Sequence, residues 1–174
     1  MLIDALERPH PEAALGTRWK LVTDGVMGGV SEGSLARKIV GRRPALRLRG
    51  RVRLENNGGF VQAALDLALD GTTVDLSDQA GIELDVTGNG ENYGLHLRTA
   101  DVVRPWQSYR ATFRAGPEWR RLRLPFTTFE PHRIDTPLDP SRLRRLGLFA
   151  IGRAFVADIA LARIATYAET DPAP

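Results

Sequence analysis

At 174 residues, with 43% apolar and 26% charged side chains, the chain has the size and composition of one globular domain, which excludes a disordered tract and leaves two full domains cramped. It contains no cysteine, which excludes disulfides, thiolate metal sites and a cysteine nucleophile and favours a reducing compartment. The net charge is +3, and Lys20 and Lys38 are the only lysines, so arginine supplies nearly all the positive charge; its planar fork suits bidentate contact with phosphate or carboxylate, although biased codon usage gives the same composition without a ligand.

Met1 to Gly16 lacks the basic start and apolar run of a signal peptide, since Asp4, Glu7, Arg8 and Pro9 interrupt it. No stretch approaches the roughly 18 to 20 apolar residues that span a membrane. The expectation is a cytoplasmic protein without membrane insertion: an N-terminal extension over 1–16, one domain over 17–168 and a flexible tail over 169–174.

Gly and Pro punctuate the chain at short intervals, with alternating segments between them. In Ala45 to Leu54, Leu46, Leu48, Val52 and Leu54 share one parity and arginines mostly take the other, the pattern of a strand with one wet face. Phe60 to Leu67 is the next strand. Gly81 to Thr87 places Ile82, Leu84 and Val86 on one face and Glu83 and Asp85 on a solvated opposite face. Gly88-Asn89-Gly90 is a turn signal, and Tyr93 to Thr99 follows with Tyr93, Leu95 and Leu97 on one face and His96 and Arg98 on the other, so these two segments are expected to form a hairpin.

Tyr109 to Phe113 and Trp119 to Leu124 continue the alternation. Pro125 to Phe129 is expected to turn, with Phe126 and Phe129 plugging one end of the core. Asp139-Pro140-Ser141 has the N-cap and first-position proline of a short helical turn. Leu146 to Ile151 and Phe155 to Tyr167 close the fold. About nine strands with almost no helix predict an all-β, antiparallel two-sheet sandwich, with a closed barrel as the alternative.

Trp19 to Leu35 reads WKLVTDGVMGGVSEGSL, and Leu54 to Gln62 reads LENNGGFVQ. Together with NYGLHLRT at 92–99, YRATF at 109–113, LPFTTF at 124–129 and LDPSRLRRLGL at 138–148, these segments resemble the CIA30 (complex I intermediate-associated protein 30) domain over roughly residues 17 to 168. The resemblance implies a jelly roll of the galactose-binding kind, a class that includes many carbohydrate-binding modules. It also implies a non-enzymatic binding or assembly-factor role, since eukaryotic members assemble respiratory complex I. Related plant proteins carry a second, dinucleotide-binding domain and act in chloroplast RNA translation, which makes RNA the alternative partner.

Asp24, Gly25, Met27, Gly28, Gly29 and Ser31 lie in the family-motif loop. The stretch lacks the Lys-Ser/Thr of a phosphate-binding loop and the GxGxxG spacing. Its residues predict a tight loop that glycine permits, with Met27 plugging the core and Asp24 capping the turn; the resemblance implies that the loop also faces a partner. Asn56-Asn57-Gly58-Gly59 is a hairpin-turn signal, with the Asn57 amide at the rim of a binding face.

The strands carrying His96, Arg98, Ser108 and Arg110 are expected to present these side chains on one surface near Trp106, bordered by Gln62 and Arg49. A ring beside arginines and hydroxyls suits a sugar or a stacked base. In this expectation Trp106 stacks, Arg98 and Arg110 are bidentate donors, and His96, Gln62 and Asn57 are neutral hydrogen-bond partners.

Catalytic groups are not expected. His10, His96 and His132 have no metal-ligand spacing, and no GxSxG elbow is present. Glu83 and Asp85 share one strand, whereas a glycosidase places its pair on separate elements across a cleft. Asp66, Asp70, Asp75 and Asp78 offer oxygen ligands, but their spacing fits no EF-hand loop. No cofactor and no metal are assigned; the expected partner is a protein or a carbohydrate.

Overall fold

The computed structural model describes the whole chain, Met1–Pro174. Twelve strands form two six-stranded antiparallel sheets packed face to face. The first sheet contains β1 (Leu2–Asp4), β3 (Glu32–Val40), β4 (Arg43–Val52), β6 (Gly81–Gly88), β9 (Arg120–Pro125) and β12 (Phe155–Tyr167). Its order is β3-β4-β12-β6-β9, with β1 also on β12. The second contains β2 (Lys20–Thr23), β5 (Phe60–Asp66), β7 (Asn92–Thr99), β8 (Ser108–Arg114), β10 (Glu130–His132) and β11 (Leu143–Ile151), in the order β10-β8-β7-β11-β5-β2. No helix is long and apolar enough to cross a membrane.

The alternation seen in the sequence explains the two layers. Leu46, Leu48, Ile82, Leu84, Val86, Ile159 and Leu161 face inward from the first sheet, and Val61, Ala63, Leu65, Tyr93, Leu95, Leu97, Leu146 and Leu148 face them from the second. Burying one parity of every strand fixes the register, because a one-residue slip would turn all of these side chains outward. Phe126 and Phe129 close one end of this core, their ring centroids 6.5 Å apart. Asp139 caps the single turn Pro140–Arg142 by accepting from Ser141 N at 3.0 Å, as its Asp-Pro signature predicts.

Three expectations change, two of them about strand pairing. Gly81 to Gly88 and Asn92 to Thr99 are not a hairpin: β6 pairs with β12 and β9, and β7 with β11 and β8. The glycine turn between them carries the chain from one sheet to the other. Tyr93 fastens this crossover, its hydroxyl donating to Asn89 Oδ1 at 2.5 Å and accepting from Asp158 N at 2.9 Å. Asn56 to Gly59 likewise connects β4 of the first sheet to β5 of the second, with Asn56 and Asn57 both at positive φ. Finally, residues 1–16 pack into the domain. The Asp4 carboxylate accepts from Leu6 N, Ala14 N and Trp19 Nε1, the last at 2.7 Å, and Ile3, Leu6 and Ala13 join the core.

The outer face of the first sheet also differs from its expected solvated state. Glu83 and Asp85 do oppose Ile82, Leu84 and Val86, but they lie buried beneath arginines. Arg123 and Arg163 bond to Glu83 at 2.9 and 2.7 Å, and Arg121 forks onto Asp85 at 2.7 and 3.0 Å. Arg47 makes a two-pronged contact with Asp158 at 2.8 and 2.7 Å, and Arg49 adds a longer one at 3.4 Å. The paired charges cover one another over the strands.

Candidate functional site

The outer face of the second sheet carries the expected cluster. Pairing of β7 with β8 sets His96 opposite Arg110, and pairing of β7 with β11 sets His96 opposite Gly147 and Arg98 opposite Arg145. Gln62, on β5, lies opposite Phe149 of β11. Arg49 does not border this surface, because β4 belongs to the other sheet.

Phe149 is the residue that sequence reasoning missed. It is 4% exposed, yet its parity places it on the outer face, opposite to Leu146, Leu148 and Ala150. Arg110 covers it, with its guanidinium carbon 5.7 Å from the ring centroid, and His96 lies beside it at 5.6 Å. The available signal was a large aromatic on the same parity as Arg145 and Gly147, opposite to the apolar row of Leu146, Leu148 and Ala150.

His96 lies over Gly147, and a Cβ there would collide with its Nε2. That nitrogen is buried without a partner. Burial first, then the charges of Arg110, Arg98 and Arg145, push its pKa down to about 3, so the imidazole is neutral at physiological pH. Neutrality agrees with the expected role, but Nε2 is turned into the sheet rather than toward a ligand. Ser108 is also on the expected face, but it is only 3% exposed and its Oγ accepts from Arg110 Nε at 3.0 Å. It positions Arg110 and is covered by it.

Arg98 and Arg110 are half-buried on this face, and neither forms a salt bridge. Burial is the first cause lowering the pKa of each guanidinium; the charges of Arg145 and Arg144 add to it at Arg98, and that of Arg133 at Arg110. Arg98 donates to the carbonyl of Arg104 at 3.0 Å, and the Arg104 guanidinium lies 5.7 Å from the ring centroid of Trp106. Gln107 closes the same loop by accepting from Arg104 N at 3.0 Å and donating to Arg133 O at 3.1 Å. The loop that carries Trp106 is thus tied to Arg98 and to Arg133, and Trp106 itself is 48% exposed.

The two glycine-rich motifs form a different unit. The buried Asp24 carboxylate accepts from Ser31 N at 2.9 Å, Ser31 Oγ at 2.5 Å, Gly59 N at 2.5 Å and Phe60 N at 3.3 Å. Burial alone would raise its pKa; these bonds together outweigh that and hold it below the usual carboxylate range. A Cβ on Gly58 would stand 2.5 Å from the same carboxylate, which explains why glycine occupies that position. Asn56 ties the loops together from outside, donating to Gly28 O at 3.1 Å. Gly25 and Gly28 belong to the single turn that Asp24 begins, where Gly25 N donates to Thr23 Oγ1 and Gly28 adopts φ 83°. Met27 does not plug the core, since it is 57% exposed at the loop tip. Asn57 is exposed on the neighbouring turn, away from the hairpin setting expected for it.

The 66–78 carboxylates are engaged separately. Asp66 accepts from Arg145 Nε at 2.6 Å and from Lys20 Nζ at 3.4 Å, while Asp70 and Asp75 accept from Thr72 and Ser77 within their own turns. No three His, Asp or Glu side chains gather as a metal-ligand set.

No curated protein matches the sequence. Among solved structures, the chain is similar to the family 11 carbohydrate-binding module from Clostridium thermocellum in complex with a β-1,3-1,4-mixed-linked tetrasaccharide. The TM-score is 0.73 at 13% identity, covering 96% of this chain and 94% of that one. It is also similar to the family 30 carbohydrate-binding module of a cellulosomal cellulase from the same organism, with TM-score 0.56 at 18% identity over 80% of this chain and 92% of that one. These likenesses establish the sandwich fold. The family model for complex I intermediate-associated protein 30 matches residues 10–160, so the chain belongs to the CIA30 family.

Proposed function

We propose that this protein is a non-enzymatic binding module that holds a saccharide chain on the outer face of its second sheet. The observation that carries this reading is that Arg98 and Arg110 have no carboxylate partner, while the loop bonded to Arg98 through the Arg104 carbonyl exposes Trp106. A half-buried guanidinium without a carboxylate has hydrogen-bond donors to offer, and an exposed indole gives a sugar ring a flat apolar surface. The known saccharide-bound relative in fold supports the choice of ligand class. The absence of cysteine supports a reducing, cytoplasmic setting.

Trp106 stacks in this reading, Arg98 and Arg110 donate, and Gln62 extends the polar row toward β2. His96 and Phe149 pack side by side beneath this face, with the Arg110 guanidinium carbon 5.7 Å from the Phe149 ring centroid. An assembly role on a protein partner is the alternative that the family description favours. RNA is favoured by the free guanidiniums, and affinity that falls steeply with salt would identify it.

Affinity electrophoresis through gels containing soluble polysaccharides tests the proposal. The double variant Arg98→Ala/Trp106→Ala should melt within a few degrees of the native protein yet lose retardation by at least about tenfold, as expected for an aromatic and an arginine at the centre of a contact. Unchanged retardation would remove these residues from the site.

A further inference from the structure

Arg98 has a second environment on its other side. With Asp66, Thr99, Val102, Val103, Arg144, Arg145 and Gly71 it lines a cleft of about 390 Å³ where the 98–103 segment meets the start of β11. We infer that this cleft is an oxyanion subsite that takes the carboxylate or sulfate group of an acidic saccharide bound along the neighbouring sheet face. The inference rests on the proposed binding face and assigns the charge class of its ligand.

Geometry carries the assignment. Arg98, Arg144 and Arg145 converge on one cavity whose only carboxylate is Asp66. Asp66 is already taken by Arg145 and Lys20. Arg144 stands at the irregularity in β11 between Leu143 and Arg145, exposed and without a salt bridge, where the bulge splays two successive arginines toward the same space. The fold therefore gathers like charges where water only partly screens them, and the burial and mutual repulsion that lower the Arg98 pKa record that cost. An oxyanion between Arg98 and Arg144 would relieve the repulsion and accept from both guanidinium forks. One part of the rim is apolar, where Val103 is 78% exposed on the same loop as Trp106. A sugar ring against that rim places a ring carboxylate or sulfate ester over the arginines.

The test uses the full chain in affinity electrophoresis against four probes: polygalacturonate, a sulfated dextran, neutral mixed-linkage β-glucan, and single-stranded polyuridylate. Polygalacturonate or the sulfated dextran should retard the protein at least about tenfold more strongly than the neutral glucan, a ratio typical of a charge-assisted contact. The probe retained more strongly identifies carboxylate or sulfate as the group recognised. Arg144→Gln should weaken acidic-saccharide binding about tenfold and leave the neutral glucan unchanged. Asp66→Asn should strengthen acidic-saccharide binding, because it removes the competing carboxylate. Retention of acidic and neutral saccharides alike, unaltered by either variant, would overturn the oxyanion subsite while the sheet-face reading stands. Retention of no saccharide would overturn both. Retention of polyuridylate alone, with the same dependence on Arg144, would overturn the saccharide and make the cleft a phosphate site.

Discussion

The two outer faces of this sandwich are built from the same residue types but pair them differently. On the first sheet, Arg47, Arg49, Arg121, Arg123 and Arg163 each reach Asp158, Asp85 or Glu83, so every one of these guanidiniums has a carboxylate partner within the fold. On the second sheet, Arg98 and Arg110 have only a backbone carbonyl and a hydroxyl as partners, and Arg145 alone on that row has a carboxylate, Asp66. An arginine count therefore says little about ligands; the position of the carboxylates relative to the guanidiniums is what separates the internally paired face from the face proposed for recognition. The comparison extends to aromatics, since Trp119 on the first-sheet side donates to Val40 O at 3.3 Å beneath Arg43, whereas Trp106 is left in water.

The largest expected effect separates the family motif from both faces. Asp24→Ala removes the acceptor of Ser31, Gly59 and Phe60 and leaves buried backbone donors unpaired, so it should cost about 3 to 5 kcal/mol of stability in chemical denaturation. A loss below about 1 kcal/mol would show that the two glycine-rich loops do not depend on that carboxylate.

Next comes the paired face. Glu83→Gln weakens bonds from Arg123 and Arg163, and these arginines are partly exposed, so the expected cost is about 1.5 to 3 kcal/mol with saccharide retention unchanged. Loss of retention in a folded Glu83→Gln protein would break the comparison, because the first sheet would then take part in recognition.

The smallest effect belongs to His96. Its folded-state pKa, about 3, lies below the ordinary value of 6.5. Between these values the unfolded chain binds a proton that the folded chain does not, so this contribution to stability falls as pH falls through the window. His10 and His132 are lowered as well and act in the same direction. Urea denaturation at pH 7.5 and 5.5 should therefore show the native protein losing about 1.4 kcal/mol more than His96→Gln over that interval. Equal losses would mean that His96 is reachable by protons in the folded state.

Much of the fold was legible because it depends on parity within single strands. Tyr93, Leu95 and Leu97 point inward and His96 and Arg98 outward, as the alternation dictates, and Phe126, Phe129 and the Asp139 cap stand where local chemistry puts them. Strand pairing was not legible, since a Gly-Asn-Gly turn looks the same whether it joins neighbours or crosses between sheets. The edge strand β3 was missed because most of its side chains are only half-buried and it shows no clean alternation. The site was legible as a face but not as a surface. Nothing local reveals that Arg110 lies over Phe149, that Gly147 admits the His96 ring, or that the β11 bulge brings Arg144 to the side of Arg98, because each depends on which strand lies next to which.

The three indole N–H groups give the most direct test, because Trp106 marks the second-sheet face, Trp119 the first, and Trp19 the buried N-terminal segment. In ¹⁵N-edited NMR spectra recorded during titration with mixed-linkage β-glucan oligosaccharides and with oligogalacturonate, the Trp106 signal should move while those of Trp19 and Trp119 stay in place. Movement of Trp119 without Trp106, or no movement of Trp106 at saturation by a saccharide that binds, would contradict the assignment of the second sheet as the recognition face.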